Sequence, residues 1–402
     1  MSAQAKSTPR ARRLLAAGAA ALALAATILL GAACVAAILG GGKGAHRAGE
    51  PVARPQRGAL RGEVLGLLAD HYYRRIDLAR LRGVGLGDLG RALGDPYTAV
   101  LSPTRLTVRN RSNAGEYAGI GIHAVRASTG VRIDAVTPGG PAAAAGLTNG
   151  SVVTAIDGRP VAGLRPDAVG RRLRGEPGSR VVVTVRRHGR ITEIPITRRV
   201  LRATVVRSRL VRVRGARIGV IGVTQFSAGT GHDVRDAARA LRARGARALV
   251  LDLRSNPGGL VREAVGLAGA FLPRGSVVYR MHGLHVPPLT RRTDTTPVAG
   301  RLPLAILINS QSASSAEIVA SALHDHHRAV LVGTRTFGKG VLQDTVPLRA
   351  GGALKLTIAA YRTPAGADIQ HRGIDPDIRA ADRPPPADPV LHRALRLVAT
   401  RR

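Results

Sequence analysis

From Ala216 onward, apolar runs of strand length alternate with amphipathic stretches of helix length, and no other feature limits the fold so tightly. Ile218 to Val223, Ala248 to Leu253, Leu304 to Ile308 and Val330 to Val332 are nearly continuous apolar runs, as expected of strands covered on both faces. Between them Asp233 to Ala243, Glu263 to Leu272 and Ala316 to Leu323 carry helical periodicity. The pattern predicts an α/β body built on a mixed, mostly buried sheet with flanking helices. Reactive groups in such bodies collect where strands hand over to helices. Three handovers here are rich in polar residues: Arg254 to Gly259, Asn309 to Glu317, and Thr334 to Gly340.

The chain has 402 residues, enough for two or three globular units. Its 61 Lys+Arg against 25 Asp+Glu leave +36, a balance that invites a nucleic-acid or anionic-membrane reading. The arginines are scattered among apolar residues and form no stripe. Aromatics are 2% of the chain with no Trp, so a base-stacking surface is not expected and no nucleic-acid partner is predicted. The one cysteine, Cys34, can neither close an intramolecular disulfide nor build a thiolate metal site, and no metal or cofactor is expected.

Leu14 to Leu39 is a 26-residue stretch without a charge, flanked by Arg10, Arg12 and Arg13 before it and Lys43 and Arg47 after it. That length crosses a bilayer, and the stronger basic flank keeps the N-terminus cytoplasmic and exports the remainder. A cleaved signal is the rival, since Ala32, Ala33, Ala36 and Ala37 offer a small-residue cleavage site. The organisation read from the sequence is a basic cytoplasmic segment (1–13), a transmembrane helix (14–39), a linker (40–59), a helical segment (60–112), a β-rich domain (113–200), the α/β core (201–380) and a tail (381–402). The tail, three prolines and then a basic amphipathic run, is compatible with lipid contact or with packing on the body.

The second handover, Asn309-Ser-Gln-Ser-Ala-Ser-Ser-Ala-Glu317, has a plain structural reading, because Ser314 with Glu317 three residues on is a helix capping box. It also has a chemical one, because a serine oxygen at the mouth of a helix lies near unpaired N–H groups. No Gly-x-Ser-x-Gly elbow surrounds it, and His324, His326 and His327 fall at the far end of the predicted helix. The better base is Lys339, on the loop after the next strand, since loops after neighbouring strands leave the same sheet edge. Only four lysines occur, Lys6, Lys43, Lys339 and Lys355, in a chain that otherwise uses arginine. A buried lysine can be neutral at pH 7, which an arginine cannot. Lys339 stands between two glycines and beside Phe337, a setting suited to desolvation.

Two details resemble a PDZ domain: Gly119-Ile120-Gly121-Ile122, and Pro141 to Leu147 followed by Gly150-Ser-Val-Val and Ile156-Asp-Gly158. Together with Asp95-Pro-Tyr-Thr98, Asp252 to Gly259, Asn309 to Glu317, Val332 to Gly340 with Gln343, and Tyr361 to Pro364 with Gly373 to Asp377, the chain resembles the carboxyl-terminal processing peptidases. The resemblance implies a serine endopeptidase with an inserted PDZ domain and a serine–lysine dyad, which the uncharged stretch 14–39 would anchor in the membrane. It places the nucleophile at Ser314, the base at Lys339 and a supporting glutamine at Gln343. Ser315 is a neighbour that could be taken for the nucleophile, because Ser-Ala here is Ala-Ser in most of the family. The oxyanion hole is implied at the N–H of Ser315 and of Gly258 or Gly259, with the choice of glycine open. Asp325 matches an acidic position of the family, though a role at the helix end fits it equally. Gly119 to Ile122 are implied to capture protein or peptide C-termini by strand addition, and Arg174 to couple that capture to activity. A homo-oligomer is compatible with this reading. The rival is an inactive PDZ-bearing scaffold at the membrane, with Ser314 only a cap.

Overall fold

The computed structural model describes residues 57–127, 129–381 and 388–400. The uncharged stretch 14–39 lies outside the described residues, among which no helix is long and apolar enough to cross a membrane.

The core holds a six-stranded sheet in the order Val206–Val213, Ala216–Val223, Ala248–Asp252, Leu304–Ile308, Val330–Gly333, Ile378–Arg379. The first pairing is antiparallel and the rest are parallel. Side chains alternate between the faces of a strand, and both faces here are covered. Leu249 and Leu251, with Leu304 and Ile306, face a cluster that includes the helices Thr230–Ala243, Val261–Ala268 and Ser315–Asp325. Ala248, Val250, Ala305 and Leu307 face the other way, onto Val390, Leu391, Ala394, Leu395 and Val398. Those five belong to the helix Pro389–Thr400, so the amphipathic tail packs on the body.

The mixed, mostly buried sheet expected from the sequence pattern is this one, and beside it the core holds a second sheet that the pattern did not announce. A second, wholly antiparallel sheet is centred on Ala353–Arg362, flanked by Ala99–Leu101, Val277–His282 and Val341–Pro347, with Leu289–Arg292 beyond. Its strands mix polar residues such as Gln343, Lys355 and Thr357 with apolar ones, so they lack the continuous runs that mark the first sheet. The N-terminal segment is not an all-helical unit. After the helix Arg57–His71 it runs through short 3-10 turns, and then Ala99–Leu101 joins the second sheet. Val64, Leu68, Leu81 and Leu89 share a core with Leu354 and Leu356 of that sheet. A further helix, Pro103–Asn113, follows, N-capped by the Ser102 hydroxyl, which accepts from the Arg105 N–H at 3.3 Å.

The β-rich domain leaves and re-enters the body through two antiparallel strands, Glu116–Gly119 and Arg199–Arg202. It has its own core, which includes Ile120, Val131, Ile133, Val153, Val183 and Ile196. Insertion between paired strands lets such a domain be added without breaking the sheets on either side.

Candidate active site

The three handovers follow strands that are neighbours in the parallel sheet, so they gather at one edge. Ser314, Lys339, Gln343, Gly258 and Gly259 all line one cavity of about 600 Å³ there. Ser314 caps the Ser315–Asp325 helix with φ 55° and ψ −115°, a strained backbone for a residue with a side chain. The turn carries the chain sharply from strand to helix with Ser314 at the cavity wall, formed here without a Gly-x-Ser-x-Gly sequence.

Glu317 holds that turn. Its carboxylate is fully buried and accepts from the Ser314 N–H (2.8 Å), the Thr336 hydroxyl (2.6 Å), the Gly338 N–H (2.7 Å) and the Lys339 N–H (2.9 Å). Capping accounts for the first bond only. The other three fasten the lysine loop to the serine helix, a role that spacing within one helix could not reveal. Tyr361, also buried, donates to the Lys339 carbonyl at 2.8 Å and lies 3.3 Å from that of Ser314.

Ser315 is fully buried, and its hydroxyl donates to the Gly259 carbonyl at 3.1 Å. It therefore ties two loops together, while Ser314 borders the cavity. Gly258 has φ 92°, and a Cβ there would sit 2.8 Å from both the Ala313 carbonyl oxygen and the Ser314 Cβ. Its own N–H donates to the Asn256 side chain at 2.9 Å. Gly259 has φ 146° and pairs with Phe226 through its neighbours: the Leu260 N–H reaches the Phe226 carbonyl, and the Phe226 N–H reaches that of Gly258. The N–H groups of Gly259 and Ser315 are thereby left without backbone acceptors among the described residues.

The Lys339 amine lies 4.7 Å from the centre of the Tyr97 ring. Phe337 is 56% exposed and does not shield it, contrary to the expectation from adjacency. The shield is Tyr97, held by Asp95, which accepts from the Tyr97 N–H (3.0 Å) and from the Thr98 hydroxyl (2.7 Å). Burial, reinforced by the like charges of Lys355 and Arg109, brings the amine down to about 8 against the attraction of Asp95 and Glu317. No hydrogen bond joins Ser314 to Lys339 among the described residues. Gln343 does not bond the amine either; its amide donates to the Thr357 hydroxyl at 3.4 Å, which also lies 3.4 Å from the Thr98 hydroxyl.

Asp325 is away from the cavity, accepting from the Ala365 N–H at 2.9 Å at the helix end. His324 and His326 bond Asp377 and the Val277 carbonyl there, so the histidines take no part in the site. Arg254 pairs with Asp252 and with Asp388 of the tail, fixing the start of the glycine loop. In the β-rich domain, Ile120 is buried, Gly121 has φ 82°, and Gly119 ends one strand and Ile122 begins the next in sequence. The Arg174 guanidinium lies 5.4 Å from the Tyr117 ring centre. Both line a second cavity of about 500 Å³, which shares Val108, Ser112 and Gln225 with the first. No group of side chains able to hold a metal ion occurs among the described residues.

Residues 217–380 match peptidase family S41, and residues 132–187 match the PDZ domain. A protein of Staphylococcus aureus strain N315, named as a probable CtpA-like serine protease, is 31% identical over 316 residues, 78% of this chain and 63% of its own length. A namesake in Staphylococcus haemolyticus is 31% identical over 315 residues, with the same coverage. The chain thus spans less than two thirds of these relatives. A solved structure of the photosystem II D1 C-terminal processing protease is 27% identical with a TM-score of 0.55, covering 85% of this chain and 97% of that one. A peptidase core carrying an inserted PDZ domain is the class that fold and comparison define together. The chain belongs to the S41 peptidases of the carboxyl-terminal processing type.

Proposed function

We propose that this chain is a membrane-anchored serine endopeptidase that takes protein C-terminal tails into its PDZ domain and cleaves them through an acyl-enzyme on Ser314. The observation that carries the reading is a strained, cavity-facing Ser314 sharing one cavity with a desolvated lysine. In the proposed reaction the neutral Lys339 amine turns from the Tyr97 ring toward Ser314 and accepts its proton as the oxygen attacks the scissile carbonyl. The oxyanion is received by the N–H groups of Ser315 and Gly259, the pair that backbone bonding leaves open. The proton passes to the leaving amine, and water then hydrolyses the ester. Gln343, linked through Thr357 and Thr98 to the Asp95 turn, steadies the surroundings of the amine.

Gly119 to Ile122 would pair with the incoming tail. The cavity lined by Arg174 adjoins the catalytic one, which supports a part for Arg174 in passing the tail onward. The uncharged stretch 14–39 and its basic flank support a single-pass anchor with the peptidase outside the cytoplasm. Incubating a tagged protein of apolar C-terminus with the wild type, Ser314→Ala and Lys339→Arg tests the reading. Cleavage by the wild type alone is expected, and cleavage by either variant at the wild-type rate would overturn it.

A further inference from the structure

One face of the helix Pro103–Asn113, formed by Arg105, Val108, Arg109 and Ser112 at helical spacing, forms a wall of the catalytic cavity. Gln225 pins this helix to the core, its amide donating to the Ser112 hydroxyl at 2.8 Å. Arg109 is half-buried, and burial pulls the pKa of its guanidinium down. Neither Arg105 nor Arg109 has an ion-pair partner among the described residues, and no carboxylate lines the cavity. Elsewhere in this chain, withdrawn arginines are satisfied: Arg254 holds two aspartates, Arg198 donates to the carbonyls of Leu173 and Arg180, and Arg328 donates to those of Ala299 and Leu302. A guanidinium drawn out of water without a partner is a cost that a bound anion would remove. Leu260, Val341 and Leu342 give the cavity its apolar lining.

We infer that Arg109, with Arg105 at the cavity rim, is a specificity element that receives a substrate carboxylate beside the scissile bond. The inference rests on the peptidase reading. The carboxylate is either an acidic side chain in the bound segment or the terminal carboxylate of a short tail, and both would be met by the same guanidinium.

Matched fluorogenic peptides, differing only by Glu or Gln within two residues of the scissile bond, are compared as free acids and as C-terminal amides. The wild type is expected to favour the Glu peptide by about tenfold in kcat/KM, as a charge-assisted hydrogen bond allows. That ratio should collapse toward one in Arg109→Gln and survive in part in Arg109→Lys. A ratio that persists in the amides assigns the acidic side chain; a preference for free acids over amides that Arg109→Gln removes assigns the terminal carboxylate. The ratio cancels any effect of Arg109 on the lysine amine, which acts on all peptides alike. Fluorescence anisotropy of the same peptides on Ser314→Ala gives the discrimination without turnover. Equal handling of all four peptides by the wild type overturns the inference and leaves the peptidase reading intact, whereas absence of cleavage with retained discrimination in binding overturns only the peptidase reading.

Discussion

If Lys339 is the base, activity must follow the neutral amine, and the structure sets the pH at which it appears. A lysine at its ordinary value of 10.5 is neutral about once in 3,000 molecules at pH 7, whereas one brought down to about 8 is neutral in about a tenth. The environment thus multiplies the competent form at pH 7 by about 300, worth about 3 kcal/mol. The sign follows from the group: depression of a cationic acid favours loss of its proton, so rate rises with pH and levels off above about 8. The assay is kcat/KM on an uncharged fluorogenic peptide from pH 6 to 10, which reports the free enzyme. Log kcat/KM should climb with unit slope to about pH 8 and gain about tenfold between pH 7 and 9. Lys355→Met removes the larger of the like charges acting on the amine, so the bend should move to higher pH. A profile flat from pH 6, or a bend that stays fixed in Lys355→Met, would refute the reasoning.

Other outcomes are expected from the same geometry. A fluorophosphonate probe should label the wild type and Ser315→Ala but not Ser314→Ala, because the Ser315 hydroxyl is occupied with Gly259. Gly258→Ala should cut kcat about a hundredfold with little change in peptide binding, since its Cβ would press to 2.8 Å of the Ser314 Cβ and displace that residue. Leu395→Ala should lower stability by about 2–5 kcal/mol in denaturant titration, the range for truncating a buried leucine. In each case an unchanged readout counts against the assigned role.

The parallel sheet was legible because strands covered on both faces are written as unbroken apolar runs, so Leu304–Ile308 coincides with its expected bounds. The second sheet was not, because half-polar strands such as Val341–Pro347 take their identity from partners distant in sequence. At the site, adjacency misled once: Phe337 closely precedes Lys339 in sequence yet faces outward, and the ring over the amine comes from Tyr97. Motif order supplied Asp95 to Thr98 but not its task, because the contact spans more than 200 residues and becomes visible only in space. That the Gly258 N–H is engaged with the Asn256 side chain was likewise not legible from the glycine pair alone.

Glu317 explains why the strained turn persists. A backbone like that of Ser314 costs about 1–3 kcal/mol, and an isolated capping interaction typically returns about 1. The carboxylate instead collects four donors in a fully buried setting, each stronger for ending on a charge. Glu317→Gln keeps the shape but replaces one acceptor oxygen with an amide that faces N–H and hydroxyl donors. It should therefore cost about 2–4 kcal/mol of stability. The loss should be larger in kcat than in KM, since the bonds it breaks hold Ser314 and Lys339 to each other rather than to a peptide. Thermal unfolding and steady-state kinetics on Glu317→Gln check both. A variant of wild-type stability, or one whose defect lies wholly in KM, would mean that the strain at Ser314 is sustained by the sheet edge and not by this carboxylate.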